Sequence, residues 1–340
     1  MQPFLYRRAE SAEQAIDLSR PSDSIERTPQ QARRQFIAGG TTLNDLMKLD
    51  VMRPQTLIDI NRMSGDVYSQ IEETPSELRL GTLVRMADLQ DHPRVMRDFP
   101  VVAETLRLAA SQQIRVMASL GGNVLQRTRC AYFRETTWPC NKREPGSGCS
   151  AIGGVNRQHA VLGTSEHCIA AYPGDFAQAL IALDASIQTL AANGSRTIPF
   201  AALHRPPGST PHVETVLEPG ELIVFIDIPV KPWAKRSHYL KIRDRESYAF
   251  ALASAAVALD IDGDIVRDAR IALGGVATVP WRAGTAERLL VGQRLDEDSA
   301  LAAAEAAFDG ARGYGANDFK ISLGKRTLVR ALLETKNMQV

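Results

Sequence analysis

All four cysteines of the 340-residue chain, Cys130, Cys140, Cys149 and Cys168, fall in one segment, separated by nine, eight and eighteen residues. Four thiols suit three arrangements: two disulfides, one tetrahedral zinc site, or one cubane iron–sulfur cluster. Zinc sites are usually built on close Cys-x2–4-Cys knuckles, which this spacing lacks. A chain long enough to bury a large core has little need of disulfide staples. Spacing therefore favours iron–sulfur and leaves the other two open. Arg127, Arg129, Lys142 and Arg143 lie among the thiols; they either raise a cluster's potential or form a solvated loop face. Tyr132, Phe133 and Trp138 would pack on a partner or give the loop a small core of its own.

Two glycine pairs offer a different chemistry. They stand in Gln35-Phe36-Ile37-Ala38-Gly39-Gly40-Thr41-Thr42-Leu43 and in Ser119-Leu120-Gly121-Gly122-Asn123. Backbone without a Cβ lets a ligand come close, and free amides at the start of a helix favour phosphate. Neither pair has the spacing of a dinucleotide-binding Gly-x-Gly-x-x-Gly or a phosphate-binding Walker loop. A tight turn or a bulge accounts for each pair singly; together they suit a clamp on an elongated phosphate-bearing cofactor. His159, His167 and His238 have no triad or metal spacing, and no acid, base or nucleophile is assigned.

The elements that must hold these residues read as mixed α and β. Gln35 to Ala38 is the end of a strand, with Thr41 as N-cap of a helix over Leu43 to Leu49 and a strand over Thr56 to Ile60. Leu78 to Leu83 fits a strand and Arg94 to Ala110 has helical apolar spacing. Regular pattern vanishes from Arg127 to Gly154. It resumes with a strand over Ala160 to Leu162, a helix over Asp175 to Leu183, and a hairpin turning at Asn193-Gly194. Glu221 to Ile228 is a β run, followed by a boundary near Pro229 to Lys235. Two strands flank Asp262-Gly263, and two helices cover Ser299 to Phe308 and Asp318 to Leu333.

Composition narrows the function classes. Forty basic against 39 acidic residues, a net charge of +1, gives no general attraction to nucleic acid. The longest apolar stretch, Tyr248 to Leu259, is too short to span a bilayer. Arg7-Arg8 is followed by Ala-Glu-Ser-Ala-Glu-Gln, charged where a signal peptide needs an apolar run. The expected start is therefore a mature N-terminus, with no signal peptide on this chain. The expected compartment is the periplasm, by co-export with a signal-bearing partner, or the cytoplasm.

Ala38-Gly39-Gly40-Thr41, Ser119-Leu120-Gly121-Gly122-Asn123, Tyr172-Pro173-Gly174-Asp175 and Lys241-Ile242-Arg243-Asp244-Arg245 follow one another in an order that resembles the FAD-binding medium subunit of molybdenum hydroxylases, the xanthine dehydrogenase family. The insertion from Gln126 to Cys168 is most similar to the FAD subunit of bacterial aldehyde oxidoreductases of the periplasmic type. The resemblance covers essentially the whole chain. It implies an α+β fold: a two-lobed FAD-binding domain of the PCMH type over 1–230, with lobes of about 1–60 and 61–230. The iron–sulfur insertion occupies about 127–168, and a smaller C-terminal α+β domain spans 235–340.

The resemblance further implies one FAD, wrapped at its pyrophosphate by Gln35 to Leu43 and lined from the second lobe by Ser119, Leu120, Gly121, Gly122 and Asn123. Asp175 would bond the ribose or nearby polar groups, Ile223 would be an apolar wall, and Lys241 a nearby cation. It implies a 4Fe-4S cluster on Cys130, Cys140, Cys149 and Cys168. Molybdopterin would sit on a large partner subunit and 2Fe-2S clusters on a small one, with electrons leaving to an external acceptor. Two departures weaken single contacts: Val116 stands where relatives often carry asparagine, and Gly174 where serine is frequent. Competing readings are the FAD and cluster subunit of a benzoyl-CoA-type reductase, and a zinc-stabilised assembly scaffold.

Overall fold

The computed structural model describes residues 1–20, 28–65 and 67–340. A first sheet is wholly parallel, with β1 (Leu5–Arg8) and β2 (Arg34–Ile37) on either side of β3 (Thr56–Asp59). Parallel neighbours need a crossover, supplied before β2 by the helix Ala12–Ser19 and before β3 by the helix Leu43–Lys48. Ser11 caps the first of these, its side chain accepting from the Gln14 amide. The second begins after Thr42 with no side-chain cap, so the N-cap expected at Thr41 is absent.

The second sheet is antiparallel. It comprises β4 (Ile71–Glu73), β5 (Glu77–Gly81), β6 (Ser186–Ala191), β7 (Gly194–Pro199) and β8 (Leu222–Pro229), in the order β4-β5-β8-β6-β7. The hairpin expected at Asn193-Gly194 joins β6 to β7, with Ala191 opposite Gly194. The third sheet contains β9 (Ser237–Ile242), β10 (Ala253–Asp262), β11 (Ile265–Gly274) and β12 (Trp281–Arg282), all antiparallel, in the order β12-β11-β10-β9.

Helices cover both faces of the third sheet. Ala256 and Ala258 join a core with Phe99, Val102, Phe176 and Leu180, whereas Ala255, Val257 and Leu259 join a second core with Ala303, Leu328 and Leu332. A strand buried on both faces has no polar side to alternate, which explains its unbroken apolar run. The long helices Glu297–Ala307 and Phe319–Lys336 supply the second layer.

Two expectations need correction. The helical stretch from Arg94 to Ala110 is two helices, Pro93–Asp98 and Pro100–Arg107, broken at Phe99. Proline disfavours a helical residue before it, and Phe99 sits at φ −140°, ψ 54°. Ala160 to Leu162 forms no strand, only a single bridge from Leu162 to Ala277. Among the described residues no helix is long and apolar enough to cross a membrane.

Candidate FAD cleft and cysteine loop

The two glycine pairs meet across a cleft holding about 1210 Å³ of space, part of it continuous with solvent. All nine residues from Gln35 to Leu43 line it, facing Ser119, Gly121, Gly122 and Ile223. Leu120 is wholly buried in the core, and neither it nor Asn123 lines the cleft. Arg127, Thr82 and Thr215 also form its wall. Thr82 and Thr215 carried no sequence signal, since isolated threonines in loop-like stretches are common.

Within each pair the glycines do different jobs. A Cβ on Gly39 would lie 1.9 Å from the Met117 carbonyl oxygen, and one on Gly121 would lie 1.9 Å from Thr82 Oγ1. The first glycine of each pair therefore permits protein to pack on protein. Gly40 adopts φ +69°, a left-handed conformation that glycine takes without strain. Gly122 has only Ser119 Oγ nearby, at 3.0 Å.

The backbone amides divide in the same way. Those of Gly39, Gly40, Thr41 and Thr42 donate to no protein acceptor among the described residues. In the second loop, Leu120 N donates to Val84 O at 2.9 Å and Gly121 N to Thr82 O at 3.0 Å. Gly122 N and Asn123 N return to Ser119, closing the single helical turn Leu120–Val124. The first loop thus presents free donors of the kind an anionic pyrophosphate takes, and the second a closely approachable wall. These residues fit the phosphate-bearing part of FAD.

Asp175 and Lys241 occupy a different place. Lys241 Nζ donates to Asp175 Oδ2 at 2.8 Å and to Leu108 O at 2.9 Å, and Tyr239 Oη donates to Asp175 Oδ1 at 2.6 Å. The Lys241 and Asp175 side chains are 1% and 5% exposed, and neither lines the cleft. Each side chain thus finds its opposite charge at hydrogen-bond distance in the interior. Burial and the neighbouring Asp175 carboxylate together push the Tyr239 hydroxyl far above its ordinary range.

The cysteine segment is compact. Cys140 and Cys149 bridge each other as short antiparallel partners, and Ser165 and Cys168 do the same. Phe133 is fully buried with Cys140 and with Leu46 of the first lobe, so the loop shares a small core with that lobe, while Trp138 is half exposed. Arg143 Nη1 donates to Tyr132 O and Phe133 O at 2.9 and 2.8 Å. Arg127 and Lys142 face the partly buried Glu214 carboxylate, at 2.8 Å from Arg127 Nε and 3.7 Å from Lys142 Nζ. Arg129 faces Asp45 of the first lobe at 3.6 Å, so of these four cations only Arg143 is bonded within the segment, and the other three tie it to its surroundings and do not make a solvated face.

All four thiols are free. Burial pushes the Cys130 thiol up to about 12, reinforced by Cys140 and Cys168, and the Cys168 thiol up to about 11, reinforced by Cys149 and Cys140. His159 Nε2 lies 3.1 Å from Cys130 Sγ, and burial pushes that imidazole down to about 4, leaving it neutral near pH 7. Among the described residues, no three His, Cys, Asp or Glu side chains are arranged to hold a metal ion.

A parallel three-stranded lobe and an antiparallel five-stranded lobe, joined across paired glycine loops, define a class of flavin-binding subunit. Residues 2–231 match the FAD binding domain in molybdopterin dehydrogenase, residues 238–335 match the CO dehydrogenase flavoprotein C-terminal domain, and the chain belongs to this family of FAD-binding medium subunits of molybdenum hydroxylases. It is 46% identical, over 99% of both chains, to the aldehyde oxidoreductase FAD-binding subunit PaoB of Escherichia coli. It is 28% identical to the carbon monoxide dehydrogenase medium chain of Afipia carboxidovorans, covering 88% of this chain and 90% of that one. A solved structure of the Cu,Mo-CO dehydrogenase superposes with a TM-score of 0.74 at 25% identity over 99% of each chain.

Proposed function

We propose that this chain is the electron-transferring flavoprotein subunit of a heterotrimeric molybdenum-dependent aldehyde oxidoreductase. The observation that carries the reading is the run of amides from Gly39 to Thr42, unpaired among the described residues, on the wall of a cleft whose other side is Ser119, Gly121 and Gly122. Likeness to the aldehyde oxidoreductase subunit along the full chain supports the substrate class. When bound, FAD supplies the exchange between electrons arriving singly and an acceptor that takes them in pairs. The chain's own residues bind and orient it: the first loop takes the pyrophosphate, and Phe36, Ile37 and Ile223 present apolar surface. Aldehyde chemistry belongs to a molybdopterin-binding large subunit, electrons reach this chain from the 2Fe-2S clusters of a small subunit, and an external acceptor removes them. On this reading 1–230 is the FAD-binding domain and 235–340 the C-terminal α+β domain.

The same reading assigns one 4Fe-4S cluster to Cys130, Cys140, Cys149 and Cys168. Its support is that all four cysteines of the chain are free and fall in one loop segment, with Cys140 paired to Cys149. Bound iron would take these cysteines as thiolates, their protons passing to solvent. The test is anaerobic isolation of the natural complex with iron, molybdenum and flavin quantified per chain. About eight irons per trimer are expected. About four irons, the content of the partner's two clusters alone, would remove the extra cubane. A complex without flavin would remove the FAD reading, and a colourless, zinc-loaded chain would favour an assembly scaffold.

A further inference from the structure

The two glycine loops belong to different lobes and are separated by more than seventy residues, yet two bonded side chains, Arg85 and Asn61, tie them together. Each loop is first held by its own lobe. Residues 82–86 run beside the second loop, with Gly121 N donating to Thr82 O, Leu120 N to Val84 O at 2.9 Å, and Met86 N to Ala118 O at 3.0 Å. The Arg85 guanidinium then reaches in two directions: Nη1 donates to Met117 O at 2.7 Å, and Nη2 donates to Asn61 Oδ1 at 2.8 Å. Asn61 completes the link, its Nδ2 donating to Ala38 O at 3.0 Å.

The Asn61 amide has only one workable orientation. Its nitrogen also donates to Asp59 Oδ1 at 2.6 Å, and its oxygen faces the guanidinium, so turning the amide over would set acceptor against acceptor and donor against donor. Asp59 is itself held by the Tyr6 hydroxyl and by the Asn61 backbone amide at 2.9 Å. The linked carbonyls flank the closest approach of the two loops, where Gly39 leaves no room for a Cβ against Met117 O.

We propose that Arg85 and Asn61 form a clamp that sets the spacing of the two loops, and so act as positioning residues for FAD without touching it. By holding the Ala38 carbonyl, Asn61 fixes the peptide plane whose other end is the free Gly39 amide; in a trans peptide the two point in opposite directions. A planar guanidinium fits the double link because it offers donors at fixed angles, whereas lysine offers one compact charge. The proposal rests on the cleft being the FAD site, which the flavin content of the unaltered complex reports separately.

The test follows FAD release from the intact complex by the rise in free-flavin fluorescence, for Arg85→Ala, Asn61→Ala, the double variant and Arg85→Lys. Each alanine variant should release FAD about tenfold faster or more, as expected for loss of a charge-assisted bond. The double variant should be little faster than either single one, because both break the same link. Millimolar guanidinium should slow release from Arg85→Ala and leave Asn61→Ala unchanged. Arg85→Lys, which keeps the charge and safeguards the fold, should still release faster than the unaltered chain. Release at the original rate from Arg85→Ala or Arg85→Lys would overturn the clamp, as would a double variant whose factor is the product of the two single ones.

Discussion

Glu214 accepts a hydrogen bond from Arg127 Nε at 2.8 Å, joining the long loop before β8 to the residue that lies both on the cleft wall and at the mouth of the cysteine segment. Lys142, two residues after Cys140, faces the other carboxylate oxygen at 3.7 Å. Burial alone would raise this carboxyl, but Arg127 and Lys142 outweigh it and hold Glu214 below the ordinary carboxylate range. A depressed carboxyl contributes stability that is full above its unfolded value of about 4.3 and fades as pH falls through the folded value. Glu214→Gln should therefore lower the melting temperature at neutral pH and flatten its acid dependence below about pH 4.3. Parallel acid profiles for the variant and the unaltered chain would contradict this.

The Asp175–Lys241 pair makes a contrasting prediction. Removing one member of a buried pair strands the other charge and costs about 3–5 kcal/mol. Lys241→Met should lose stability of that order in urea unfolding, whether the chain is loaded with FAD or stripped of it. A loss confined to the loaded form would instead make Lys241 a cofactor contact.

His238 works in the opposite pH direction. Its Nδ1 lies 3.0 Å from Glu104 Oε2 and its Nε2 3.1 Å from Glu334 Oε2, and the Glu104 hydrogen bond foremost raises its pKa. The stabilisation is full below the unfolded value of about 6.5 and is lost as pH rises through the raised folded value. Melting of the unaltered chain should fall across that alkaline step, and His238→Gln should lack it.

The division of labour inside each glycine pair is open to a paired test. Gly39→Ala drives a methyl against the Met117 carbonyl and should weaken FAD binding about tenfold or more, since backbone on both sides must move apart. Gly122→Ala meets only Ser119 Oγ and should leave the apoprotein's melting temperature nearly unchanged. Equal destabilisation of the apoprotein by the two substitutions would contradict the assignment.

Local chemistry made much of this legible in the sequence. Gln35 to Thr41 reads as strand, turn and helix start, and Asn193-Gly194 as a hairpin, because neighbouring residues decide both. Pro100 also carried its own warning of the break at Phe99. Long-range choices were not legible. That Asp175 and Lys241 satisfy each other, or that Arg127 turns inward to Glu214, depends on partners 66 and 87 residues away. The glycine pairs pointed to a ligand, but periodicity could not tell that the second loop's amides are already committed to Thr82, Val84 and Ser119. The clamp at Arg85 had no sequence signal, because an arginine following an apolar run is ordinary.

The most direct test of the central claim is amide hydrogen exchange on the complex before and after FAD is restored to a deflavinated sample. Loading should slow exchange at Gly39, Gly40, Thr41 and Thr42, whose amides have no protein acceptor among the described residues, and change it far less at Leu120 and Gly121. Unaltered exchange across Gly39 to Thr42 on loading would contradict the account.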